Sequence, residues 1–262
     1  MKSISREEAM NFLHNNRVAI HCDSFYDWRY TELFNYDMDY SCYKFHGCVI
    51  IKHDNQHLLE LEGIQSNKSI TFNIHQISDK ADICAAWQYV LENEKVDSIE
   101  RIILYAYTPL PNEIEVFGGF CKFTRKGEQY EDSDVRKMTV KDEVIIKELC
   151  EDSRNSNSEA QDFYSWFEYK RRGKLLGIFS DKLVGLVSTD RFEDVGLAQV
   201  GDLFVHKDYR RLGYGRRLVK AALALYPDVE YFYQAFKSNN ASIELALSLG
   251  FEFIGAELCV LD

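Results

Sequence analysis

Apolar positions recur along the first half with two different periods, which predicts both helices and strands. Helical spacing of apolar side chains covers residues 6–15 and 81–93. Ser5 precedes the first helix with Glu8 three residues later, the arrangement of a capping box. The predicted strands, rich in β-branched residues, are 46–53, 58–64, 69–74 and 99–107.

The second half has a clearer alternation of strands and helices. A hairpin is predicted where two apolar runs, 175–179 and 183–187, flank a short polar turn. Leu197–Val205 is a long apolar strand that runs directly into a glycine-containing turn. The other predicted strands are 135–140, 229–235 and one beginning at Phe251. The predicted helices are 142–149, 162–169, 216–226 and 240–249.

A change of composition divides the chain. Residues 122–134 are polar and charged, which is typical of a segment between domains. We therefore expect an N-terminal mixed α/β domain over 1–121, a linker over 122–134 and a second domain over 135–262. The fold class predicted for the whole is α/β, of the α+β kind with a mixed sheet.

Composition and charge narrow the function classes. A hydrophobic fraction of 46% and a charged fraction of 28% are those of a globular protein. The net charge of −11 argues against nucleic acid as a partner and suits a cationic amine. No apolar run is long enough to span a membrane, and the first residues lack the apolar core of a signal peptide. We expect a cytoplasmic protein.

Metal-binding spacing is absent from the sequence. The seven cysteines are scattered and form no CxxC pair, so buried or free thiols are expected. His46 and Cys48 lie close together, but no second pair accompanies them. We predict no metal.

The turn after Leu197–Val205 carries the strongest chemical signal. Its sequence is Arg210-Arg211-Leu212-Gly213-Tyr214-Gly215, and a helix follows at once. Unpaired N–H groups and the helix dipole make such a terminus an anion site, and glycine allows a pyrophosphate to approach the backbone. A tight turn with solubilising arginines is the alternative. A Walker loop and a dinucleotide fold are excluded, because Arg216-Arg217 and Leu218 occupy the positions that need Lys-Ser/Thr and a third glycine.

Residues 201–215 resemble the acetyl-CoA motif of the GNAT superfamily of N-acetyltransferases, a strand followed by a tyrosine-arginine approach and R-x-x-G-x-G. Asn239, Leu245 and Leu249-Gly250-Phe251 resemble the second motif of that family at the expected distance. The resemblance covers about 135–261 and implies acetyl-CoA as the acyl donor. The cofactor-binding residues that it implies are Leu203, Val205, Arg210, Arg211, Leu212, Gly213, Tyr214, Gly215, Arg216, Asn239 and Ser242.

One family position departs from the pattern. Family members often have a tyrosine that acts as the general acid at the position where this chain has Ala246. Three explanations are open. The CoA thiolate leaves without a proton donor, another hydroxyl takes the place of the tyrosine (Tyr233 first, then Ser242), or the domain binds acyl-CoA without turnover. Asp202 is the candidate base, or a carboxylate that only attracts a cationic acceptor or pairs with a neighbouring strand.

The functional prediction is an N-acetyltransferase that moves an acetyl group from acetyl-CoA to a primary amine of a small molecule or peptide by direct attack. The alternative is a non-catalytic acyl-CoA sensor. The first half permits a degenerate copy of the same fold, since Phe117-Gly118-Gly119-Phe120 falls where Leu249-Gly250-Phe251 falls in the second half. An unrelated domain that shapes the acceptor cleft is equally compatible. The oligomeric state is not predicted.

Overall fold

The computed structural model describes residues 1–14, 40–54, 68–78, 80–106, 110, 115–154, 174–193 and 196–261. The predicted strand 58–64 and helix 162–169 lie outside these residues. The described chain divides into two compact units, the first formed by 1–122, 235–240 and 253–262 and the second by 123–234 and 241–252. No described helix is long and apolar enough to cross a membrane.

The first unit is a mixed sheet with two described helices, α1 (Arg6–His14) and α2 (Ile83–Asn93). Its strands are β1 (Lys2–Ile4), β2 (Tyr40–Phe45), β3 (Cys48–Asp54), β4 (Ile70–Gln76) and β5 (Ile99–Ala106). They are neighbours in that order, antiparallel except for the parallel pair β4–β5, which α2 connects. Ser5 Oγ accepts from Glu8 N at 3.0 Å, so Ser5 caps α1 as predicted.

The second unit repeats this connectivity. Its described helices are α3 (Glu143–Arg154), α4 (Tyr214–Leu223) and α5 (Asn240–Ser248, from its second residue). Its strands β7 (Val135–Lys137), β8 (Lys174–Phe179), β9 (Leu183–Phe192), β10 (Leu197–Val205) and β11 (Glu230–Phe236, to Gln234) are neighbours in that order. They are antiparallel except for β10–β11, which is parallel and connected by α4. The structure confirms the mixed α/β class.

Each unit buries its own apolar core. In the first unit, α2 packs on one face of the sheet around Ile50, Phe72, Ile74, Ala86 and Leu104. In the second unit, α3 packs on one face, with Ile146 and Cys150 buried against Leu186 and Phe204. Helix α4 packs against β8, β9 and β10 and buries Leu218, Val219, Ala222 and Leu223.

The predicted linker is corrected by the structure. Its first residues belong to a strand, β6 (Gly118–Lys126), although their composition is polar. The charges are paired rather than solvated: Lys122 is fully buried, with Nζ 2.8 Å from Glu257 Oε2, and Arg125 pairs with Glu128 at 2.9 Å. The last strand, β12 (Glu252–Leu261), lies beside β5 over residues 256–261 and so belongs to the first unit, which the sequence did not predict.

Candidate functional site

The two parallel strands of the second unit separate part of the way along. β10 pairs with β11 from Leu197–Glu230 to Val200–Tyr233, and the ladder ends there. β10 continues to Val205. Among the described residues, its main chain beyond Val200 therefore has no ladder partner on the β11 side, and backbone donors and acceptors of this kind bind an extended ligand as an added strand.

A bulge shapes the same part of β10 from its other side. The register with β9 shifts between Gly201, opposite Ser188, and Phe204, opposite Leu186. Asp202 has φ +35° in this bulge, a backbone conformation that is strained for residues other than glycine. Ser188 Oγ donates to Asp202 Oδ2 at 3.2 Å and holds the carboxylate. Bulges of this type re-aim side chains beside functional sites, and here the exposed Asp202 is the residue re-aimed.

The turn between β10 and α4 leaves the helix N-terminus open. Gly213 is the N-cap residue with φ +88°, and no side chain caps the helix. A Cβ atom built on Gly213 would meet no heavy atom within 4 Å outside its chain neighbours, so the space beside this residue is open. The first turn also contains no acidic residue. Uncapped N–H groups facing open space form a seat for a phosphate or pyrophosphate.

Side chains of β10 and α5 support the first turn of α4. A Cβ atom on Gly215 would lie 3.7 Å from Leu203 Cδ2, 3.7 Å from Leu245 Cδ2 and 3.8 Å from Val205 Cγ2. These are ordinary van der Waals distances, so the first turn of α4 packs against the end of β10 and against α5 with room for a Cβ atom at this position. Within the turn, Leu212 is 66% exposed and Tyr214 is half-buried beside Tyr209.

Two of the four arginines at the turn, Arg216 and Arg217, are hydrogen-bonded to other groups of the second unit. Arg217 binds both carboxylate oxygens of Asp132, at 2.7 and 2.6 Å, and one of Asp134 at 2.6 Å. This hydrogen bonding lowers the pKa of Asp132 to about 2 and raises that of Arg217. Arg216 donates to Ser248 O at 3.1 Å and to Ser248 Oγ at 2.7 Å, at the end of α5.

The other two arginines remain at the turn. Arg210 and Arg211 are exposed, and neither forms an ion pair with a described carboxylate. Arg210 Nε donates to Val205 O at 3.0 Å, which ties the turn to the end of β10 and uses one lone pair of that carbonyl. Arg211 has φ +62°, so its side chain leaves a strained backbone position inside the turn.

The predicted hydroxyl candidates lie in direct contact. Tyr233 Oη and Ser242 Oγ are 2.6 Å apart, on β11 and α5 respectively. Tyr233 is 3% exposed, and burial raises its pKa while the hydrogen bond with Ser242 lowers it. Tyr233 is also the last β11 residue paired with β10, so the hydroxyl pair belongs to the point where the strands part. Ala246 is fully buried.

Asn239 is assigned to a different unit from Tyr233 and Ser242. It lies just before α5, is exposed, and its N–H donates to Phe236 O at 2.8 Å. It belongs to the segment 235–240 of the first unit, so its predicted contact with the cofactor stays a prediction.

Sequence reasoning missed several polar residues of the second unit. Asp132 and Asp134 were assigned to a linker, and their role as partners of Arg217 depends on a contact 83–85 residues along the chain. Ser188, Asp190 and Gln199 lie on β9 and β10 and had no predicted role. A polar residue inside an apolar strand, such as Gln199 between Ala198 and Val200, was the available signal.

The first unit lacks these features at the corresponding places. Its parallel strands pair from Ile70–Ile99 to His75–Tyr105, within one residue of the ends of β4 and β5, with one register shift between Ile70 and Thr71. Its helix α2 is capped by Asp82, whose carboxylate accepts from Ala85 N at 2.9 Å. A carboxylate at that terminus excludes a phosphate from it.

Comparison with known proteins agrees with this geometry. Residues 143–251 match the model of the acetyltransferase (GNAT) family. No curated protein sequence matches the chain.

Solved structures share the fold at low sequence identity. An acetyltransferase of the GNAT family from Colwellia psychrerythraea is 10% identical with a TM-score of 0.54, over 99% of this chain and 98% of that one. A GCN5-related N-acetyltransferase from Sphaerobacter thermophilus is 11% identical with a TM-score of 0.52, over 98% and 93%. A functionally unknown protein from Staphylococcus epidermidis is 11% identical with a TM-score of 0.50, over 73% and 83%. At these identities the likeness establishes the fold.

Proposed function

We propose that the chain moves an acetyl group from acetyl-CoA to a primary amine. The premise is that residues 143–251 are a GNAT acetyltransferase domain, which makes the chain a transferase. The observation that carries the proposal is the open N-terminus of α4 beside the unpaired end of β10. A ligand with a pyrophosphate and an extended amide arm, as in CoA, needs both features together.

Each part of the cofactor has a candidate partner. The pyrophosphate lies against the N–H groups of residues 212–216, with the Arg210 and Arg211 side chains as counter-charges. The amides of the pantetheine arm pair with the main chain of Leu203 and Val205. The thioester then lies near Val200 and Tyr233, where the two strands part.

The reaction is a direct displacement. The neutral amine attacks the thioester carbonyl, so an N–C bond forms as the C–S bond breaks. Asp202 takes the proton that the nitrogen loses, directly or through water. Its carboxylate is suited to this because Ser188 orients it and it is exposed to an incoming amine.

The hydroxyl pair Tyr233–Ser242 takes the role of the tyrosine that family members often have at the position of Ala246. One hydroxyl donates its proton to the departing thiolate, and the other stabilises the oxygen left behind by hydrogen bonding. Since burial raises the pKa of Tyr233, this hydroxyl stays protonated at neutral pH and is available as a donor.

A second candidate function is favoured by one observation. The side chain of Ala246 has no hydroxyl, so this position of α5 offers no proton donor to a thiolate. A domain that binds acyl-CoA without turnover, as a sensor, has the same cofactor site.

The first unit is proposed to be a degenerate copy of the same fold that binds no CoA. Its repeated connectivity supports the copy, and the closed β4–β5 pair and the Asp82 cap support the loss of the site. The chain is then expected to bind one CoA molecule.

Thermal shift with acetyl-CoA, followed by thiol release across a panel of amines, tests both functions. Stabilisation with thiol release on an amine supports the transferase, and stabilisation without release on any amine supports the sensor. Absence of any stabilisation by acetyl-CoA contradicts both.

A further inference from the structure

Polar side chains of β9, β10 and β11 share one face of the second unit. Residues opposite each other in an antiparallel ladder lie on the same face, and faces alternate along a strand. The pairs Gly201–Ser188 and Gln199–Asp190 therefore place Ser188, Asp190 and Gln199 on one face. Asp202 joins them because Ser188 Oγ donates to it.

Two further residues extend this face onto β11. Gln199 is opposite Phe232, so Phe232 lies on the same face, and Gln234 follows two residues later. Tyr233 and Tyr231 lie on the other face, where Tyr231 Oη donates to Ala222 O of α4. We call Ser188, Asp190, Gln199, Asp202 and Gln234 the polar row.

Two carboxamide oxygens of the polar row have no hydrogen-bond partner in the part of the chain that the structure describes. Gln199 is 3% exposed, and its side-chain Oε1 is one of them. Gln234 Oε1 is likewise buried without a partner. A buried carboxamide oxygen without a partner costs on the order of 1–3 kcal/mol, so a ligand that donates N–H groups to it would be stabilised. The buried oxygens of Gln199 and Gln234 distinguish the polar row from a solvated acidic surface.

The negative charge of the polar row and the distance between its two ends indicate the kind of ligand that it binds. Asp190 and Asp202 are carboxylates, and no arginine or lysine belongs to the row, since Arg191 lies on the other face, 5.0 Å from the Tyr226 ring centre. Ser188 and Asp190 are two residues apart on β9, which separates the two ends of the row by roughly 7 Å. Phe232 provides an apolar surface beside them.

We propose that the amine acceptor is an alkyl diamine or polyamine, an identification that rests on the proposed transferase function. Its reacting nitrogen lies at Asp202, its second ammonium group binds Asp190 and Gln199, and its methylene chain packs on Phe232. The second nitrogen stays protonated and takes no part in the chemistry. The net charge of −11 favours the approach of such a cation.

The test compares two substrates of equal carbon length, 1,4-diaminobutane and butylamine, in thiol release from acetyl-CoA. The diamine is expected to have a kcat/KM about 10- to 100-fold higher, because a charged hydrogen bond is made only by its second nitrogen. Asp190→Asn and Gln199→Met are expected to reduce this ratio to near one. The matched control Asp228→Asn removes an exposed carboxylate of the turn before β11 and should leave the ratio unchanged.

The outcomes separate this inference from the proposed function. Acetylation of butylamine with no preference for the diamine, or a preference that survives Asp190→Asn, overturns the diamine assignment and leaves the transferase intact. If acetyl-CoA binds but no amine releases thiol, the transferase fails. Calorimetric titration of 1,4-diaminobutane into the CoA-bound protein then decides: binding weakened by Asp190→Asn supports the polar row as a diamine site, and absence of binding overturns it.

Discussion

Replacing Gly213 by aspartate and by asparagine separates the charge of a side chain from its size at the proposed pyrophosphate seat. The two side chains are nearly equal in volume, and both tolerate the left-handed conformation that φ +88° requires better than other residues do. Both variants have open space for the new Cβ atom. Backbone strain is therefore common to both variants, and the difference between their affinities for acetyl-CoA measures the effect of the added charge.

The expected loss of affinity follows from the distance between the new carboxylate and the phosphate. A carboxylate on Gly213 would lie about 5 Å from a phosphate seated on the α4 N–H groups, which gives repulsion of about 1–3 kcal/mol per unit charge between bulk-water and near-surface dielectric constants. The Kd for acetyl-CoA should then be roughly 5- to 150-fold weaker in Gly213→Asp than in Gly213→Asn. The difference should shrink as ionic strength rises, because the site is exposed.

Isothermal titration calorimetry provides the assay and also the stoichiometry, which is expected to be one CoA per chain. S-acetylpantetheine lacks the pyrophosphate and serves as the control ligand, with equal affinity expected for the two variants. Equal acetyl-CoA affinity in Gly213→Asp and Gly213→Asn would refute the seat at this turn. A second binding site would refute the loss of the cofactor site in the first unit.

Further variants test the reacting groups and the turn. Asp202→Asn should lower kcat at neutral pH by about 10²–10⁴-fold with little change in acetyl-CoA affinity, and unchanged turnover would remove Asp202 as the base. Tyr233→Phe should lower kcat more than Ser242→Ala if Tyr233 donates the proton, and the reverse order would assign the donor to Ser242. Arg217→Met should destabilise the fold by about 1–3 kcal/mol in chemical denaturation, because it removes the ion-pair partner of the 6% exposed Asp132 side chain.

The Arg217 contact also has a pH signature. The pKa of Asp132 is depressed to about 2 in the folded state, below the roughly 3.9 of an unfolded chain. The contribution of the ionised Asp132 carboxylate to the free energy of unfolding is therefore fully present above about pH 4 and is lost as pH falls towards 2. In Arg217→Met this acid-dependent loss should be smaller in unfolding curves between pH 4 and 2, because only the hydrogen bonds from Tyr130 Oη and the Asp134 N–H then hold the carboxylate.

Local patterns were enough to predict most elements of the second unit. Leu197–Val205 is a strand over the range predicted, and α4 and α5 begin within two residues of theirs. The glycine turn was identified because a strand, a glycine pair and a helix follow one another within a few residues. Such features depend on interactions between near neighbours in sequence, which is why they can be read from it.

Contacts between distant parts of the chain decided the rest. The charges of Lys122 and Arg125 were taken as signs of a linker, whereas Glu257 and Glu128 neutralise them within folded structure. Asp132 and Asp134 neutralise Arg217, so fewer cations remain at the turn than the sequence suggests. A charged side chain in a sequence carries no information about its partner, and only the fold specifies whether that charge is solvated, paired or free.

The sequence by itself determined that a glycine turn opens a helix after a long strand, because backbone conformation at glycine and helix capping are local properties. Only the tertiary structure decided that β10 parts from β11 beyond Val200, that Tyr233 contacts Ser242, and that Gln199 Oε1 is buried with no hydrogen-bond partner among the described residues. Strand pairing, register and burial depend on the packing of segments far apart in the chain, and no local pattern encodes where a ladder ends.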